Sequence, residues 1–467
     1  MKRVADELNA LSSLDGRYAA EAGPLRTYFS EFAYLRDRVR AELAYLQALS
    51  QDAKIVRQLT SSERDLLEAI GMDFPPPEAV RIREIEQGTR HDVKAIERYL
   101  RQRLASTSLA DTLEWLHFGL TSEDVNSIAG AIALRDSRDQ VILPALGNVL
   151  ERVADLIRAH RSTPMLARTH GQPAVPTTFG KEMAVFYARL QRQGARLSAH
   201  RFAAKLTGAV GNFNALAAAA PGVDWLAFSE NFLDGLGLQA ELTTTQTLPY
   251  ENWLEYFEGL RLTNAILIDF AQDMWRYAGD GYLEIRAVPG EAGSSTMPQK
   301  VNPIDFENAE GNLGLANALF QHYAAKLPVS RLQRDLSDST VRRTFGSALG
   351  HSLVAYVSLR RGLERIEVNA DALQADLESH WEVLAEGAQT ILRAAGVAEP
   401  YELLKALTRG RHMTKESYGV WVEGLEVDES VRARLLALTP LSYLGLAEKI
   451  AANAVGSARS VRRKGPG

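Results

Sequence analysis

The run from Gly293 to Pro303 reads Gly-Ser-Ser-Thr-Met-Pro-Gln-Lys-Val-Asn-Pro, which sets three neighbouring hydroxyls, one ammonium and two side-chain amides in a single short stretch. Gly290 and Gly293 let the backbone swing or take positive φ, while Pro298 and Pro303 stiffen the later part of the run. This is the makeup of a mobile loop that carries chemistry. An ordinary Gly/Ser linker has no need of Met297, Lys300 and Asn302 so close together.

A proton donor is sought first among the nine histidines. His170 sits in Arg168-Thr169-His170-Gly171-Gln172-Pro173-Ala174-Val175-Pro176, read as a polar loop whose prolines bar a helix until Thr177 or Thr178 caps the next one. An imidazole held beside a cleft titrates near neutrality and can act as general acid or base. A surface or packing histidine is the competing reading, and the residues alone leave the two level. His91 lies in Thr89-Arg90-His91-Asp92-Val93-Lys94, after Gly88 ends one helix and where Asp92 can start another; here Asp92 as cap and His91 as its neighbour is the preferred reading. Thr121-Ser122-Glu123-Asp124 is a helix start with acids in its first turn. Capping is the better account of it, although its hydroxyls and free amides could hold an anionic group.

The most basic local stretch runs from Ser330 to Arg343 and includes Arg331, Arg334, Arg342 and Arg343. Ser339 and Thr340 are expected to begin a helix, so amides, hydroxyls and guanidinium groups could converge on one anion, as suits a phosphate. A solvated charge run explains the same residues equally well. Other chemistries lack their parts: there is no Gly-x-x-x-x-Gly-Lys-Ser/Thr loop, no strand leading into a Gly-rich dinucleotide turn and no His-Glu-x-x-His pair. Zero cysteines exclude disulfides, thiolate metal sites and cysteine nucleophiles, in keeping with a reducing cytoplasm. A formal charge of -5, from 53 basic and 58 acidic residues, supplies no global basic field for nucleic acid. Proton transfer in an anion-binding pocket is the economical mechanism, and elimination beside a carboxylate fits it.

Long helices must position these groups. At 467 residues, 46% hydrophobic and 24% charged, the chain can bury a large core and divide into two or three domains. Ile142, Leu146, Val149, Val153 and Leu156 follow a 4-3-4-3 spacing, as do Phe179, Met183, Phe186 and Leu190 with Leu197 beyond them. Trp253, Phe257, Leu260, Leu267, Phe270, Met274 and Tyr277 continue the pattern. Two more long helices are expected from about Phe306 to Lys326 and from about Thr340 to Leu363, so the class is all-α with a five-helix bundle. Several of these helices are apolar on more than one face, which suggests an oligomer. The expected division is an N-terminal helical domain over 1–110, broken by Pro75-Pro76-Pro77 and Gly88, the bundle over 111–364, and a C-terminal helical domain over 365–467 opened by an Asn369 cap. Arg459, Arg462, Arg463 and Lys464 among Ser and Gly read as a disordered basic tail. The N-terminus, with acids ahead of any apolar stretch, does not look like a signal peptide, and no run approaches the ~18 apolar residues of a membrane span.

The Gly293–Pro303 loop resembles that of the fumarase, aspartase and argininosuccinate lyase superfamily, and the chain as a whole resembles the adenylosuccinate lyase family. Asp15-Gly16-Arg17-Tyr18, Thr89 to Lys94, Thr121 to Asp124, Arg168 to Ala174, Thr244-Thr245-Gln246 and Lys326 to Arg331 carry the likeness, most closely to the bacterial branch with a long N-terminal region. The resemblance implies a three-domain lyase fold whose helical bundle assembles into a tetrameric core, with active sites shared between subunits. It implies cleavage of adenylosuccinate to AMP and fumarate, and of SAICAR to AICAR and fumarate, in purine synthesis, with no cofactor, metal, nucleic acid or membrane. Ser294 is implied as the general base and His170 as the general acid. The implied substrate-binding residues are Arg17, Tyr18, Arg90, His91, Asp92, Thr121, Ser122, Gln246, Ser295, Lys300, Val301, Asn302, Asn308, Arg334, Ser339, Thr340, Val341, Arg342 and Arg343. Gln299 departs from the pattern, since that branch usually has histidine there; an argininosuccinate lyase or another fumarate-releasing enzyme is therefore the alternative, with an inactive structural homologue a third reading.

Overall fold

The computed structural model describes residues 7–288, 290, 296–297, 299–408 and 413–462. The apolar rows read from the sequence are the buried stripes of five long helices, Leu143–His160, Phe179–Ala199, Glu251–Gly279, Ile304–Lys326 and Phe345–Arg365. Val149, Val153, Met183, Leu190, Phe257, Leu267, Phe270 and Met274 are fully buried on them. The first row drifts at its end, where Ile157 is buried in place of the half-buried Leu156, because a 3.6-residue turn slips against a 3.5-residue repeat. The last helix does not run unbroken from Thr340. A short helix, Ser337–Arg342, comes first, and the Thr344 hydroxyl donates back to the Val341 carbonyl at 2.7 Å, a local bond that competes with helix continuation. Strands among the described residues are three short pairs, so the fold is all-α, and no described helix is long and apolar enough to cross a membrane.

The chain forms two compact units, each assembled from three stretches of sequence. The first contains residues 1–146, 193–265 and 311–357. Its N-terminal core joins Leu35, Val39, Leu43 and Leu46 to Ile82, Ile96, Tyr99, Leu100 and Leu116. The Glu31–Gln51 helix is capped by Ser30, whose Oγ accepts the Ala33 amide at 3.2 Å, and Pro76 occupies the first turn of the Pro76–Thr89 helix, where a missing N–H costs nothing. Gly88 does not end that helix. It stops through Arg90, which takes the left-handed conformation at φ 52°, and the next helix, Asp92–Leu104, is capped by His91. The His91 Nδ1 accepts the Lys94 amide at 3.1 Å, so cap and neighbour are exchanged relative to the sequence expectation.

Thr121 opens the Ser122–Ser137 helix as expected, its amide donating to Asp124 Oδ2 at 2.8 Å. Asp124 is completely buried, as is its ion-pair partner Lys205, and Asp124 Oδ1 also accepts the Thr207 amide at 3.0 Å. That pair fastens the helix start to the segment around the Ala203–Ala204 strand, which lies parallel to Gln239–Ala240.

The second unit contains residues 147–192, 266–310 and 358–467. Here Pro164–Thr169 and Gln172–Thr178 form an antiparallel hairpin, which corrects the expectation of a plain loop around His170. Pro173 and Pro176 are tolerated because both strands of a two-stranded pair are edges. Thr178 caps the following helix as expected, accepting the Lys181 amide at 3.2 Å. Leu283–Ile285 pairs antiparallel with Ile366–Val368, and Asn369 then caps Ala370–Glu378 through the Ala372 amide at 3.0 Å. The C-terminal helices pack around Leu377, Leu384, Leu392, Tyr418, Val422 and Leu435. The Ala447–Arg462 helix gives helical backbone to the first part of the segment read as a disordered tail; residues 463–467 lie outside the described residues.

Replacing Lys205 by Met strands the Asp124 carboxylate in a fully buried site. A loss of about 3–5 kcal/mol is expected, the usual cost of breaking a buried pair from one side, read as a lowered denaturant midpoint; a midpoint within experimental error of wild type would remove the pair from its structural role.

Candidate active site

Five polar segments that are far apart in sequence meet within the first unit. Glu123 is 1% exposed, and its Oε1 accepts from Asn126 Nδ2 at 2.7 Å, Arg334 Nη2 at 2.9 Å and Arg342 Nη2 at 3.0 Å. Burial pushes its pKa up, but the two guanidinium groups and the Asn126 amide outweigh that and hold it below the ordinary carboxylate value. Arg334 Nη1 also donates to Gln246 Oε1 at 3.2 Å. Asp338 lies 3.8 Å from both Arg334 and Arg342 and accepts the Tyr250 hydroxyl at 2.8 Å. The same helical turn connects to Asp92: Arg343 stands 3.9 Å from that carboxylate, and Arg38 3.1 Å. Burial raises the Asp92 pKa, yet Arg38, the Val93 amide, His91 and Arg343 together leave it below the usual value. Arg38 is in turn anchored by Asn126 Oδ1 at 2.8 Å, which closes the network back on Glu123.

The remaining expected residues of this unit fall around that network. Thr121 and Ser122 are partly buried at the helix start, Arg90 and Thr340 are exposed, and Ser339 Oγ accepts from Arg343 Nη1 at 2.6 Å. Val341 and Arg342 turn their side chains inward, leaving chiefly their main chain for any ligand. Arg17 is exposed, and Tyr18 packs on Leu14, Ala22 and Val354. Nearby, Asp15, Arg26, Ser30 and Arg343 line a groove of about 380 Å³. Thr244, Thr245 and the run from Lys326 to Ser330 share a second pocket, of about 340 Å³, with Tyr250, Asp335 and Asp338.

In the second unit His170 occupies the first position of the hairpin's two-residue turn. Thr169 pairs with Gln172, and both His170 (φ 54°) and Gly171 (φ 76°) have the positive φ of a type I′ turn. Histidine is among the few non-glycine residues that tolerate this region. The imidazole is thus exposed at a tip whose backbone is set by the ladder on both sides, and its ring makes no hydrogen bond to another described residue. Two residues earlier, beyond a bulge between Leu166 and Arg168, the Arg168 Nη2 reaches both Asp376 oxygens at 3.0 and 2.8 Å. Asp376 also accepts the Tyr282 hydroxyl, and burial and that carboxylate push the Tyr282 pKa up to about 12. Lys300 and Val301 are exposed, Asn302 is partly buried, and Asn308 Oδ1 accepts the Ser358 hydroxyl at 3.0 Å. Ser294 and Ser295 lie outside the described residues.

The comparisons with known proteins bear on the family to which this set of residues belongs. A lyase family model matches residues 16–317, and a model of the adenylosuccinate lyase C-terminal region matches 330–444. The chain is 47% identical to the adenylosuccinate lyase of Vibrio cholerae serotype O1, over 94% of this chain and 97% of that one, and 46% identical to that of Escherichia coli K12, with the same coverage. The chain belongs to the adenylosuccinate lyase family. Among solved structures, a fumarate lyase from Mesorhizobium sp. BNC1 superposes with a TM-score of 0.73 at 20% identity, covering 93% of this chain and 97% of the other. A 3-carboxy-cis,cis-muconate lactonizing enzyme from Pseudomonas putida gives 0.73 at 23%, covering 94% and 97%. These two speak for the fold.

For a member of the adenylosuccinate lyase family, the residues that sequence reasoning missed are the acids and the amide behind the arginines, Glu123 in this role, Asn126 and Asp338, together with Arg38, which Asn126 anchors. Each sits among other polar residues in sequence, and nothing local beyond Glu123's place in a helix-start motif marks its distant partner. Also unremarked was His117, whose Nδ1 lies 2.6 Å from Glu42 Oε1 and which, with Tyr45 OH donating to the Phe118 carbonyl at 2.8 Å, ties the segment leading to Thr121 onto the Glu31–Gln51 helix. Burial lowers the His117 pKa, but Glu42, with Glu97 and Asp124 beyond it, more than compensates and leaves it raised. A raised folded pKa means that the pair stabilises fully below the unfolded histidine value of about 6.5 and loses that contribution as pH climbs through the folded value. Melting temperature followed upward from pH 6 should therefore show a declining component that Glu42→Gln abolishes; an identical slope in the variant would assign the decline to other groups.

Proposed function

We propose that the chain cleaves adenylosuccinate to AMP and fumarate, and SAICAR to AICAR and fumarate, by β-elimination. The Ser294 alkoxide takes the proton from the carbon beside a carboxylate, the C–N bond breaks as the double bond of fumarate forms, and His170 protonates the departing nitrogen. A free hydroxyl is far too weak an acid for this, so loop closure, nearby amides and the Lys300 ammonium must favour the alkoxide. Lys300 and Asn302 hold the charge that develops on the carboxylate, and Ser295, Val301 and Asn308 complete that side. The substrate's phosphate falls to Arg334, Arg343, Ser339, Thr340 and the main chain of 341–342, with Arg17, Tyr18, Arg90, His91, Asp92, Thr121, Ser122 and Gln246 around it.

One observation carries the reading: near-full-length identity of 47% to a protein named adenylosuccinate lyase, in a chain whose Arg334, Arg342, Arg343, Gln246 and Asp92 are drawn into one polar network. A homotetramer with shared active sites belongs to the same reading. Val185, Leu262 and Leu315, between 44% and 56% exposed on three of the long helices, support it as apolar side chains left for a partner. A division at residues 110 and 364 into N-terminal, bundle and C-terminal domains is also part of this reading; the largely C-terminal cluster around Leu377 to Leu435 supports its second boundary, while the N-terminal core runs past the first to Leu116. A cofactor-free reaction in the cytoplasm completes the proposal.

Ultraviolet absorbance on mixing the protein with adenylosuccinate tests the substrate, and a parallel trial with argininosuccinate tests the alternative that Gln299 favours. Ser294→Ala and His170→Gln are each expected to lose turnover by about 10²-fold or more while still binding substrate, as removal of acid–base groups does. Mixing the two inactive variants should restore part of the activity through hybrid assemblies. A near-wild-type rate in either single variant, or no recovery after demonstrated subunit exchange, counts against the assignment.

A further inference from the structure

We infer that Glu123 is a positioning residue: its carboxylate holds the Arg334 guanidinium in the orientation that receives the substrate's anionic group, and this rests on the function proposed above. A carboxylate 1% exposed is tolerated only when it is matched by charge and hydrogen bonds, and Glu123 is matched at a single oxygen by two guanidiniums and one amide. Asp338 supplies the second negative charge at 3.8 Å from each arginine, held by the Tyr250 hydroxyl. Two acids and two arginines thus form a cluster with no net charge.

The two arginines are not equivalent. Arg342 has a side chain 7% exposed, so its charge is neutralised inside the cluster. Arg334 is 16% exposed and gives Nη2 to Glu123 and Nη1 to Gln246, while its Nε, like that of Arg342, is buried without a hydrogen-bond partner among the described residues. Each of its Nη atoms carries a second N–H, so the less buried end of the Arg334 guanidinium retains donor capacity. Two like charges drawn to one oxygen repel each other, and their spacing is fixed only while that oxygen carries charge. Neutralising Glu123 frees Arg334 to move off Gln246, and the effect belongs to substrate binding rather than to the bond-breaking step.

Steady-state kinetics with adenylosuccinate, product inhibition by AMP and thermal melting are measured for wild type, Glu123→Gln, Arg334→Lys and the double variant. Glu123→Gln is expected to raise KM and the AMP inhibition constant about tenfold, within the range of coupling for residues sharing one network, with kcat changed by less than about threefold. The double variant should be no worse than Arg334→Lys alone. Losses that multiply in the double variant, or an unchanged KM in Glu123→Gln, overturn the inference, because a merely structural carboxylate would lower the melting temperature without coupling to Arg334. Where Glu123→Gln does not fold, Glu123→Asp keeps the charge but withdraws the oxygen by one methylene; the same KM shift is expected of it, and a wild-type KM overturns the role. A wild type that leaves adenylosuccinate intact defeats the functional reading itself, whereas an active wild type with unmoved variants defeats only the role of Glu123.

Discussion

Two adjacent acids at the start of the Ser122–Ser137 helix are buried, and much of the first unit is arranged to make that tolerable. Glu123 and Asp124 point into different surroundings because neighbouring helical positions are about 100° apart. Asp124 faces Lys205 and the Thr207 amide; Glu123 faces Arg334, Arg342 and Asn126. An isolated carboxylate in either place would take a proton or unfold its surroundings. The helix start is therefore pinned from two sides by segments about 80 and 210 residues further along the chain, and Thr121 and Ser122 inherit a fixed position from their neighbours' need for counter-charges.

The second unit solves a related problem by backbone geometry. His170 is exposed and no side chain among the described residues bonds to its ring, yet its Cα is confined by a type I′ turn between paired strands. The hairpin is itself clamped where Arg168 grips Asp376, a carboxylate that also accepts Tyr282 just ahead of the Leu283–Ile285 strand. One acid on the Ala370–Glu378 helix thus links the hairpin close to its tip with Tyr282, just ahead of the strand from which the chain continues toward Gly293. Such an arrangement leaves the imidazole exposed at the tip, while its support is set by charge-assisted bonds.

The features legible from residues alone are those set by short-range interactions. Helical rows depend on neighbours three and four positions away, so all five long helices were legible, with slips where Ile157 replaced Leu156 and where the last helix starts at Phe345 rather than Thr340. The Thr121, Thr178 and Asn369 caps were legible for the same reason. The hairpin was not: two prolines suggested irregular backbone, and His-Gly is not the Asn-Gly pair that signals a type I′ turn. Gly88 was given a stop signal that tertiary packing passed to Arg90. Least visible were the pairings across the fold, since nothing near Glu123 announces arginines more than two hundred residues away. The proposed base, Ser294, rests on sequence and family membership alone.

The basic stretch shows how burial divides a charge run into separate tasks. Solvated surface and anion site are equal readings of it from sequence, and its arginines differ widely in burial. Arg331 is 83% exposed and leans on Asp335 at 3.5 Å, so it is largely solvated. Arg342 is occupied in neutralising buried acids. Its neighbour Arg343, one position and about 100° further round, is 52% exposed, bonded to Ser339 and 3.9 Å from Asp92. Arg334 stands between these cases, half engaged and half open. Under the proposed function, anion affinity would rest on two guanidiniums out of four, set less by how many arginines the segment holds than by which of them the buried acids leave open.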